Sequence, residues 1–333
     1  PFFRNERIVN TDLVDCIYGE KASRAQIRIA ARTPILVRKK SGELVALNAD
    51  QSEAVRRYCS GCPALVVESP PGSGKTMTAA AMVVSYTGSG VQLFLSTANV
   101  PVLNMALALS KLDYGSKKAI HFMSAEREDA LTEETRSPFS IISLAKKKNS
   151  LEAKISLLED DLAATRCDNE RKRLKDAIRA ACGPVLGDEY DIMFATVDMT
   201  LGRLNKPQHA GRADSIKKQL QNNVLRVVVD EASQLTESAL NALIHSFPEV
   251  QIVLIGDSKQ LPPFKYTKGD FISEMAARSA LDVVKRNLPV IRLLKVYRAA
   301  PQLMKHYSDV FYGGTLTSAK PESTRNPLAS FGS

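Results

Sequence analysis

The residues with the clearest chemical meaning lie in a glycine- and proline-rich segment that ends in Lys75 and Thr76. Backbone N–H groups of such a loop surround a β-phosphate, a lysine reaches the β- and γ-phosphate oxygens, and a threonine hydroxyl binds Mg²⁺. The alternative is a glycine-rich turn before a helix that carries Lys-Thr by chance. The pattern favours a site for ATP and Mg²⁺ made of consecutive loop residues: Pro71, Gly72, Ser73, Gly74, Lys75 and Thr76.

One position departs from the usual phosphate-loop pattern. The first residue of the eight is normally glycine, and this chain has Ser69 there. Serine is small enough for the loop to close. Whether this serine weakens nucleotide binding is left open by the sequence.

Two further segments place polar residues directly after apolar runs. A valine-rich run ends in Asp230 and Glu231, which predicts a Mg²⁺ ligand at Asp230, opposite Thr76, and a general base at Glu231. An acid pair at a strand end is also found in solvated turns, but the phosphate loop upstream argues against that alternative. The apolar run 251–255 leads to Gln260, which is placed to hydrogen-bond a γ-phosphate.

These polar residues need a scaffold that brings strand ends together. The phosphate loop itself lies between a short apolar run, Leu65–Val67, and a helix-forming stretch at 79–84. Three apolar strands that all deliver phosphate chemistry at their carboxyl ends predict one mostly parallel sheet with helices on both faces. The expected fold class is therefore α/β.

Composition sets limits on the partners and the environment. The chain has 333 residues, a formal net charge of +9 and five cysteines. No apolar run approaches the roughly 18 residues of a membrane-spanning helix, so no membrane partner is expected. The sparse cysteines fit a reducing compartment, which favours a cytoplasmic or nuclear location. The basic excess gathers in 201–226 and 259–298, which predicts that part of it meets phosphate.

Taken in chain order, the segments resemble the motifs of superfamily 1 helicases, specifically the Upf-like branch with its senataxin- and Armitage-type members. The Tyr-Arg segment follows the three phosphate motifs, as it does at the end of that family's first motor domain. The matching segments are 47–55 (Q-motif), 95–99 (motif Ia), 192–197 (motif Ib), 230–234 (motif II), 256–262 (motif III) and 296–301 (Tyr-Arg motif).

The resemblance implies roles for residues that the phosphate chemistry alone does not explain. Gln51 would read the adenine edge, Tyr297 would stack on adenine, and Arg298 would contact the γ-phosphate. A second group would contact the sugar–phosphate backbone of single-stranded RNA or DNA; it consists of Thr97, Asn99 and Thr196. Lys75, Glu231, Gln260 and Arg298 would form the catalytic set.

The resemblance also implies a fold and an activity. The fold would be that of a RecA-like P-loop NTPase. The activity would be ATP hydrolysis coupled to 5′→3′ movement along a single strand, with RNA the expected substrate, once a second RecA-like domain completes the cleft. Residues 313–333 contain neither motif V nor motif VI of that second domain, so the isolated chain is expected to be weakly active or inactive.

Two other functions stay open at this point. A non-motor nucleotide-binding regulatory module, or an inactive partial helicase, would keep the loop and acid pair without translocation. A P-loop ATPase unrelated to nucleic acid is disfavoured by the matches to motifs Ia, Ib and III. Because the chain opens with Pro1 rather than Met, a fragment or a processed chain is also expected.

The predicted domain organisation has three parts. Residues 1–46 form an N-terminal segment with a β-hairpin, read as the end of an accessory domain; 47–317 form the motor domain; and 318–333 form a flexible tail. An insert at about 124–187 has leucines at near-heptad spacing and a break at 165–169, which predicts an antiparallel helical hairpin with about 20 residues per arm.

Several local features are assigned no chemistry. The basic clusters Lys146–Lys148 and Arg171–Arg173 are read as exposed helix surface in preference to a strand-binding surface. Cys59 and Cys62 form a lone pair without the further ligands that a tetrahedral zinc needs, so metal binding there is disfavoured.

Overall fold

The computed structural model describes residues 11–19, 33–206, 215–264 and 277–321. Parts of the predicted N-terminal segment (1–10 and 20–32) and most of the predicted tail (322–333) lie outside the described residues. So do 207–214 and 265–276, which belong to the two basic stretches. None of the helices within the described ranges is long and apolar enough to cross a membrane.

A seven-stranded sheet forms the centre of the fold, and every neighbouring pair in it is parallel. Its strands are apolar runs because both faces are covered, as parallel sheets require. The spatial order is β5-β6-β4-β7-β8-β3-β9. This confirms the predicted α/β class with a mostly parallel sheet. The strands are β3 (Ala64–Glu68), β4 (Val91–Ser96), β5 (Ala119–His121), β6 (Ile192–Thr196), β7 (Val224–Asp230), β8 (Gln251–Gly256) and β9 (Val290–Arg292).

Helices cover both faces of this sheet, and alternate strand residues point to opposite layers. Val228 packs into one apolar layer, whereas Val227 and Val229 pack into the other. The first layer is covered by α2 (Ala49–Cys59), α3 (Lys75–Ser85) and α4 (Asn99–Ser110). The second is covered by α1 (Thr11–Tyr18), α6 (Ile141–Lys146), α7 (Asn149–Ala164), α8 (Asp168–Ala181), α9 (Gly183–Leu186), α10 (Val197–Asn205), α11 (Ser215–Asn222), α12 (Glu237–Ser246) and α13 (Ala280–Val284). A short helix, α5 (Ala125–Asp129), precedes α6.

The insert contains the predicted antiparallel helical hairpin. Its arms are α7 and α8, of 16 and 14 residues, joined by residues 165–167. Both are shorter than the expected 20 residues. In the first arm the leucine spacing crosses a helix boundary, because Leu144 belongs to α6, which ends at Lys146. Ile155 of α7 and Ile178 of α8 are buried in the same apolar layer as the sheet, so the hairpin packs on the domain through these positions.

The basic clusters of the insert are largely engaged within the chain. Lys146 bridges Glu133 and Glu159, at 3.0 and 2.7 Å. Lys148 pairs with Asp188 at 2.8 Å. A guanidinium nitrogen of Arg171 donates to carbonyls in the last turn and C-cap of α7. These contacts favour the interpretation of the clusters as helix surface.

The described part of the N-terminal segment packs on the central domain. Strands β1 (Leu36–Arg38) and β2 (Leu44–Ala46) pair antiparallel, and backbone hydrogen bonds tie Arg38 and Lys40 to the chain that follows α4. Val37 is buried in the apolar layer that α2, α3 and α4 cover. The sequence did not predict α1, whose Leu13 and Ile17 are fully buried in the opposite layer.

A small C-terminal unit lies beyond the main sheet. It consists of β10 (Lys295–Val296), helix α14 (Pro301–Tyr312) and β11 (Thr317–Ser318), with β10 and β11 parallel. Val296, Met304 and Leu316 form its own apolar cluster. This unit places the Tyr-Arg segment between the end of β10 and the start of α14.

Candidate active site

The phosphate loop connects β3 to α3 and is shaped by two glycines with left-handed backbones. Gly72 has φ 77° and Gly74, the N-cap of α3, has φ 88°, a region that glycine enters without steric cost. Ser69, at the position usually held by glycine, is fully buried, and its hydroxyl lies 2.8 Å from that of Ser73. Ser73 donates its own hydroxyl proton to the Pro70 carbonyl at 2.8 Å, so Ser69 is the donor in the serine pair. Ser69 thus closes the loop with a side-chain hydrogen bond.

Gly72 is also required by close packing against the Tyr-Arg segment. A Cβ atom at position 72 would lie 2.6 Å from the Cβ of Arg298. The Tyr297 N–H donates to the Gly72 carbonyl at 2.8 Å. The phosphate loop and the C-terminal unit are therefore in direct backbone contact.

Lys75 lies between the two carboxylates at the end of β7. Its ammonium is 3.2 Å from Asp230 Oδ1 and also hydrogen-bonds Glu231 Oε1. Burial lowers the pKa of Lys75, but the charges of Asp230 and Glu231 outweigh it, so the net shift of the pKa is upward. Lys75 therefore stays cationic, as a phosphate-binding lysine must.

Glu231 has an unusual backbone. Its φ of 55° makes it the only non-glycine in the described ranges with a left-handed conformation. Its N–H donates to Asp230 Oδ1 at 2.9 Å, and the next N–H, of Ala232, donates to the Ile255 carbonyl at 3.0 Å. Glu231 Oε2 is buried and has no hydrogen-bond partner among the described residues. An acceptor of this kind is suited to take a proton from water.

The residues that would hold Mg²⁺ share one cavity with the phosphate loop. This cavity, of about 340 Å³, is lined by Thr76 and Asp230, together with Lys75 and Glu231. A carboxylate and a hydroxyl are the hard oxygen donors that Mg²⁺ prefers, usually with phosphates and waters as the remaining ligands. With the unpaired oxygen of Glu231 beside them, the residues present fit a Mg²⁺–nucleotide complex.

Motif III packs directly on motif II. A Cβ at Gly256 would lie 2.9 and 3.0 Å from the backbone nitrogens of Ser233 and Ala232, so only glycine fits there. After the turn, Gln260 is exposed and lines the cavity, and its Nε2 donates to Asp257 Oδ2 at 3.0 Å. Arg298 lines the same cavity and is also exposed.

Gln51 and Tyr297, the two residues expected to bind adenine, lie near each other. They differ in how far their side chains are occupied by contacts within the chain. Gln51 is buried, with 4% of its surface exposed; its Oε1 accepts from the Asn48 N–H at 3.1 Å and its Nε2 donates to the Ser73 carbonyl at 3.2 Å. Tyr297 is 40% exposed and its hydroxyl accepts from Asn48 Nδ2 at 2.9 Å. The Gln51 amide thus supports the phosphate loop, whereas the Tyr297 ring is open to a ligand.

The residues expected to contact a nucleic-acid strand lie further along the same sheet edge. Thr97 and Asn99 follow β4, and Thr196 ends β6, where it pairs in register with Ser96. The Thr196 hydroxyl caps α10 by accepting from the Met199 N–H at 3.2 Å. Thr97 is half-buried and Asn99 is exposed. The structure therefore brings these three residues to the carboxyl edge of the sheet. They lie on the opposite side of β7 from the phosphate loop.

Four cavity residues were missed by sequence reasoning. Pro70 and Met77 flank the loop residues that were predicted, and Pro101 and Asn104 come from α4. A signal for Asn104 was present: it is a lone polar residue within an apolar helical stretch, Val102–Leu107. Helix α4 therefore contributes to the nucleotide cavity and starts beside the candidate strand-binding residues.

Comparison with known proteins gives a consistent family assignment. A family model described as an AAA domain matches residues 51–265. The ATP-dependent helicase upf1 of Schizosaccharomyces pombe is 28% identical over 298 residues, covering 85% of this chain and 29% of its own length. A regulator of nonsense transcripts 1 homolog from Arabidopsis thaliana is 28% identical over 279 residues, covering 82% and 20%.

Further matches are found among curated proteins and solved structures. An uncharacterized ATP-dependent helicase of Caenorhabditis elegans is 26% identical over 328 residues, covering 85% of this chain and 21% of its own length. Among solved structures, the arterivirus nonstructural protein 10 helicase with DNA aligns with 88% of this chain and 53% of its own, at 11% identity and a TM-score of 0.40. The chain thus spans less than a third of the length of these curated relatives. It belongs to the AAA domain family and corresponds to the motor domain of Upf-like superfamily 1 helicases.

Proposed function

We propose that this chain is the first motor domain of a helicase that couples ATP hydrolysis to 5′→3′ movement along single-stranded RNA when a second RecA-like domain completes the cleft. The observation that carries the proposal is a single cavity at the carboxyl edge of the sheet. It is lined by the cation, the acid pair, the hydroxyl and the two exposed γ-phosphate candidates: Lys75, Asp230, Glu231, Thr76, Gln260 and Arg298.

Each side chain has a role that follows from its chemistry. Lys75 binds the β- and γ-phosphates, and Thr76 and Asp230 would hold Mg²⁺, which would supply positive charge to the phosphates. Glu231 accepts a proton from the attacking water, and Gln260 and Arg298 contact the γ-phosphate. Arginines that neutralise the transition state are worth about 10³–10⁵ in rate in related NTPases, so this chain, without an arginine from a second domain, is expected to hydrolyse ATP slowly.

The nucleic-acid part of the proposal rests on position and on relatives. Thr97, Asn99 and Thr196 lie on the same sheet edge as the nucleotide cavity, separated from the phosphate loop by β7 and β8. Relatives carry names that refer to nonsense transcripts, and one hamster relative is named a DNA-binding protein. We infer a single strand as the partner, with RNA as the leading choice, and a cytoplasmic or nuclear location.

The test measures nucleotide binding and turnover separately. The chain should bind a fluorescent ATP analogue with Mg²⁺, and Lys75→Ala should weaken that binding by about 100-fold or more, because a charge-assisted contact to two phosphates is lost. Lys118→Ala, an exposed lysine outside the cavity, is the matched control. Retained affinity in Lys75→Ala would show that the nucleotide site is elsewhere.

Turnover decides whether the site belongs to a nucleic-acid motor. ATP hydrolysis should be slow for this chain and should rise with poly(U) or poly(dT) for a longer product of the same gene that includes motifs V and VI. A larger rise with poly(U) than with poly(dT) would support the RNA preference. If neither polymer changes the rate of ATP hydrolysis by the longer product, the helicase function is excluded and a nucleotide-binding regulatory module is favoured.

A further inference from the structure

A buried aspartate connects the γ-phosphate side of the cavity to the end of the C-terminal helix. Asp257 follows β8 and is only 2% exposed. Its Oδ2 accepts two hydrogen bonds, from Gln260 Nε2 at 3.0 Å and from the Tyr312 hydroxyl at 2.6 Å. Its Oδ1 accepts from the Lys259 N–H at 3.0 Å. Asp257 is therefore held from three directions and lines no part of the nucleotide cavity itself.

The acceptor oxygens of Asp257 fix which way the Gln260 amide points. An ionised carboxylate only accepts hydrogen bonds, so the amide nitrogen of Gln260 must face it. This leaves the Gln260 carbonyl oxygen and its second N–H for a water molecule or a phosphate oxygen. Without Asp257, the two ends of the amide would be interchangeable and the donor would have no fixed direction.

Tyr312 holds Asp257 in this position. Its hydroxyl bond of 2.6 Å lies in the range of a charge-assisted O–H···O⁻ contact, which is about twice as strong as a neutral one. Burial and the Asp257 carboxylate raise the pKa of Tyr312, so the hydroxyl keeps its proton and stays a donor. The Tyr312 hydroxyl and the Gln260 amide thus supply the hydrogen bonds that a buried carboxyl group needs.

Tyr312 is the last residue of α14, and the other end of that helix adjoins Arg298. The turn after Tyr312 is fixed by Gly313, with φ 59°, and by Ser308, whose hydroxyl accepts from the Leu316 N–H at 3.2 Å. The helix therefore joins two cavity residues: Arg298 just before its first turn, and Gln260 through Asp257 at its last residue.

We propose that Tyr312 is a positioning residue which, through Asp257, orients Gln260 toward the γ-phosphate, so that α14 responds to whether the bound nucleotide is a triphosphate or a diphosphate. This inference rests on the proposed nucleotide site. It adds to that site a residue outside the cavity, Tyr312, that helps the chain to distinguish a triphosphate from a diphosphate.

The test compares the affinity of the chain for a non-hydrolysable ATP analogue with its affinity for ADP. Tyr312→Phe removes one hydroxyl and should reduce the preference for the triphosphate about 5- to 10-fold, with ADP affinity unchanged within twofold, as expected for loss of a hydrogen bond to a charged group. Tyr307→Phe is the matched control, since Tyr307 lies on the same helix with its ring 6.3 Å from that of Tyr312. It should leave both affinities unchanged.

A second set of variants keeps the test decisive if Tyr312→Phe is unstable. Asp257→Asn and Gln260→Ala should reduce the same preference, and Tyr312→Phe combined with Gln260→Ala should lose no more than Gln260→Ala alone, because both act through one contact. By reciprocity, the triphosphate should slow amide hydrogen exchange in 308–316 more than ADP does, and Gln260→Ala should remove that difference.

The outcomes separate this inference from the proposed function. If the unmodified chain binds neither nucleotide, the proposed nucleotide site is wrong. If it binds both, and Tyr312→Phe leaves the preference unchanged or lowers both affinities equally, Tyr312 supports the fold alone and the inference is overturned.

Discussion

Backbone strain at Glu231 shows how single residues in this site are aimed. A left-handed backbone costs a non-glycine residue about 1–3 kcal/mol and persists only where neighbours enforce it. Here the Asp230 carboxylate and the Ile255 carbonyl hold the N–H groups of Glu231 and Ala232. The main chain therefore directs the side chain of Glu231, the general-base candidate. In the sequence, this position shows only one more acidic residue.

Ser69 gives a prediction at the same scale. Because its hydroxyl donates to Ser73 inside a buried loop, Ser69→Ala should weaken ATP-analogue binding about fivefold, the value of one hydrogen bond near 1 kcal/mol. Fluorescence titration of the two proteins measures this. Ser60→Ala, an exposed serine that bonds the Arg57 carbonyl at 2.8 Å, should have no effect. Equal affinities of Ser69→Ala and the parent chain would show that the hydroxyl does not shape the loop.

A second residue-scale prediction concerns pH. His121 is buried in β5, and burial lowers its pKa from 6.5 to about 4. The unfolded chain therefore binds more protons than the folded chain between about pH 4 and 6.5, so stability is lost as the pH falls through that window. For this residue alone, the free energy of unfolding should drop by about 2 kcal/mol between pH 7 and pH 5.

Urea unfolding at the two pH values isolates that contribution. His121→Gln, which does not titrate, should reduce the pH dependence by this amount, whereas His306→Gln at an exposed position should leave it as it is. An unchanged pH dependence in His121→Gln would mean that the histidine is accessible to water in the folded chain.

At the scale of elements, the phosphate-loop helix is fixed at both ends. Gln51 holds the loop before α3, and Lys117 donates to the Val83 and Tyr86 carbonyls at its C-terminal end, the former at 2.6 Å. Burial lowers the pKa of Lys117, and the nearby Asp191 carboxylate opposes that shift. A lysine here complements the partial negative charge of the helix end.

Removing that contact should destabilise the domain without touching the site. Lys117→Met keeps most of the apolar stem and should lower the free energy of unfolding by about 1–2 kcal/mol in urea, since a charge-assisted contact to two carbonyls is lost. Lys118→Met, at the exposed neighbouring position, should change it by less than about 0.5 kcal/mol. Similar losses in both variants would contradict a capping role for Lys117.

Elements also show what sequence reasoning can reach. The β-branched run before Asp230 and the loop before Lys75 have local signatures, and both fall at the predicted places in β7 and before α3. The contacts of Gly72 with Arg298 and of Asp257 with Tyr312 join positions far apart in the chain. Such contacts depend on how the C-terminal unit packs, and no local pattern records them. Helix α1 was missed for a similar reason: its apolar side is recognisable only once the surface that it covers is known.

At the scale of the whole molecule, charge counts proved a weak guide to surface charge. The stretch 201–226 has six basic residues and one acidic residue, yet Arg226 is buried over the rings of Tyr58 and Tyr86, and Lys217 is buried with a bond to the Lys206 carbonyl. In the second stretch, Arg278 pairs with Glu237 and Lys285 with Asp282. These four basic residues therefore serve the fold, so less of the positive excess is available to a polyanion than the charge count alone indicates.

Ligand binding should be visible in the stability of the whole domain. Mg²⁺–ATP at about 100 times its dissociation constant should raise the free energy of unfolding by about 2.7 kcal/mol, because the nucleotide binds the folded chain alone. Removing Mg²⁺ with EDTA should reduce this gain, since Asp230 and Thr76 then lose their shared ligand. Urea unfolding measures both effects. Lys75→Ala should abolish the gain, and an equal gain in that variant would place the nucleotide outside the proposed cavity.

The position of β7 in the sheet limits how this sequence can vary. Strand β7 carries Asp230 into the nucleotide cavity and is hydrogen-bonded directly to β4, which leads to Thr97 and Asn99. A substitution that changes the packing of β7 therefore moves the ends of both strands together. We expect the middle of the sheet to drift least among relatives of this chain, and the outer strands β5 and β9 to accept change more freely. Adaptation to a different nucleic acid or a different nucleotide would then begin in the loops at the carboxyl edge of the sheet. A residue in one of these loops can be exchanged without moving the residues of the neighbouring site.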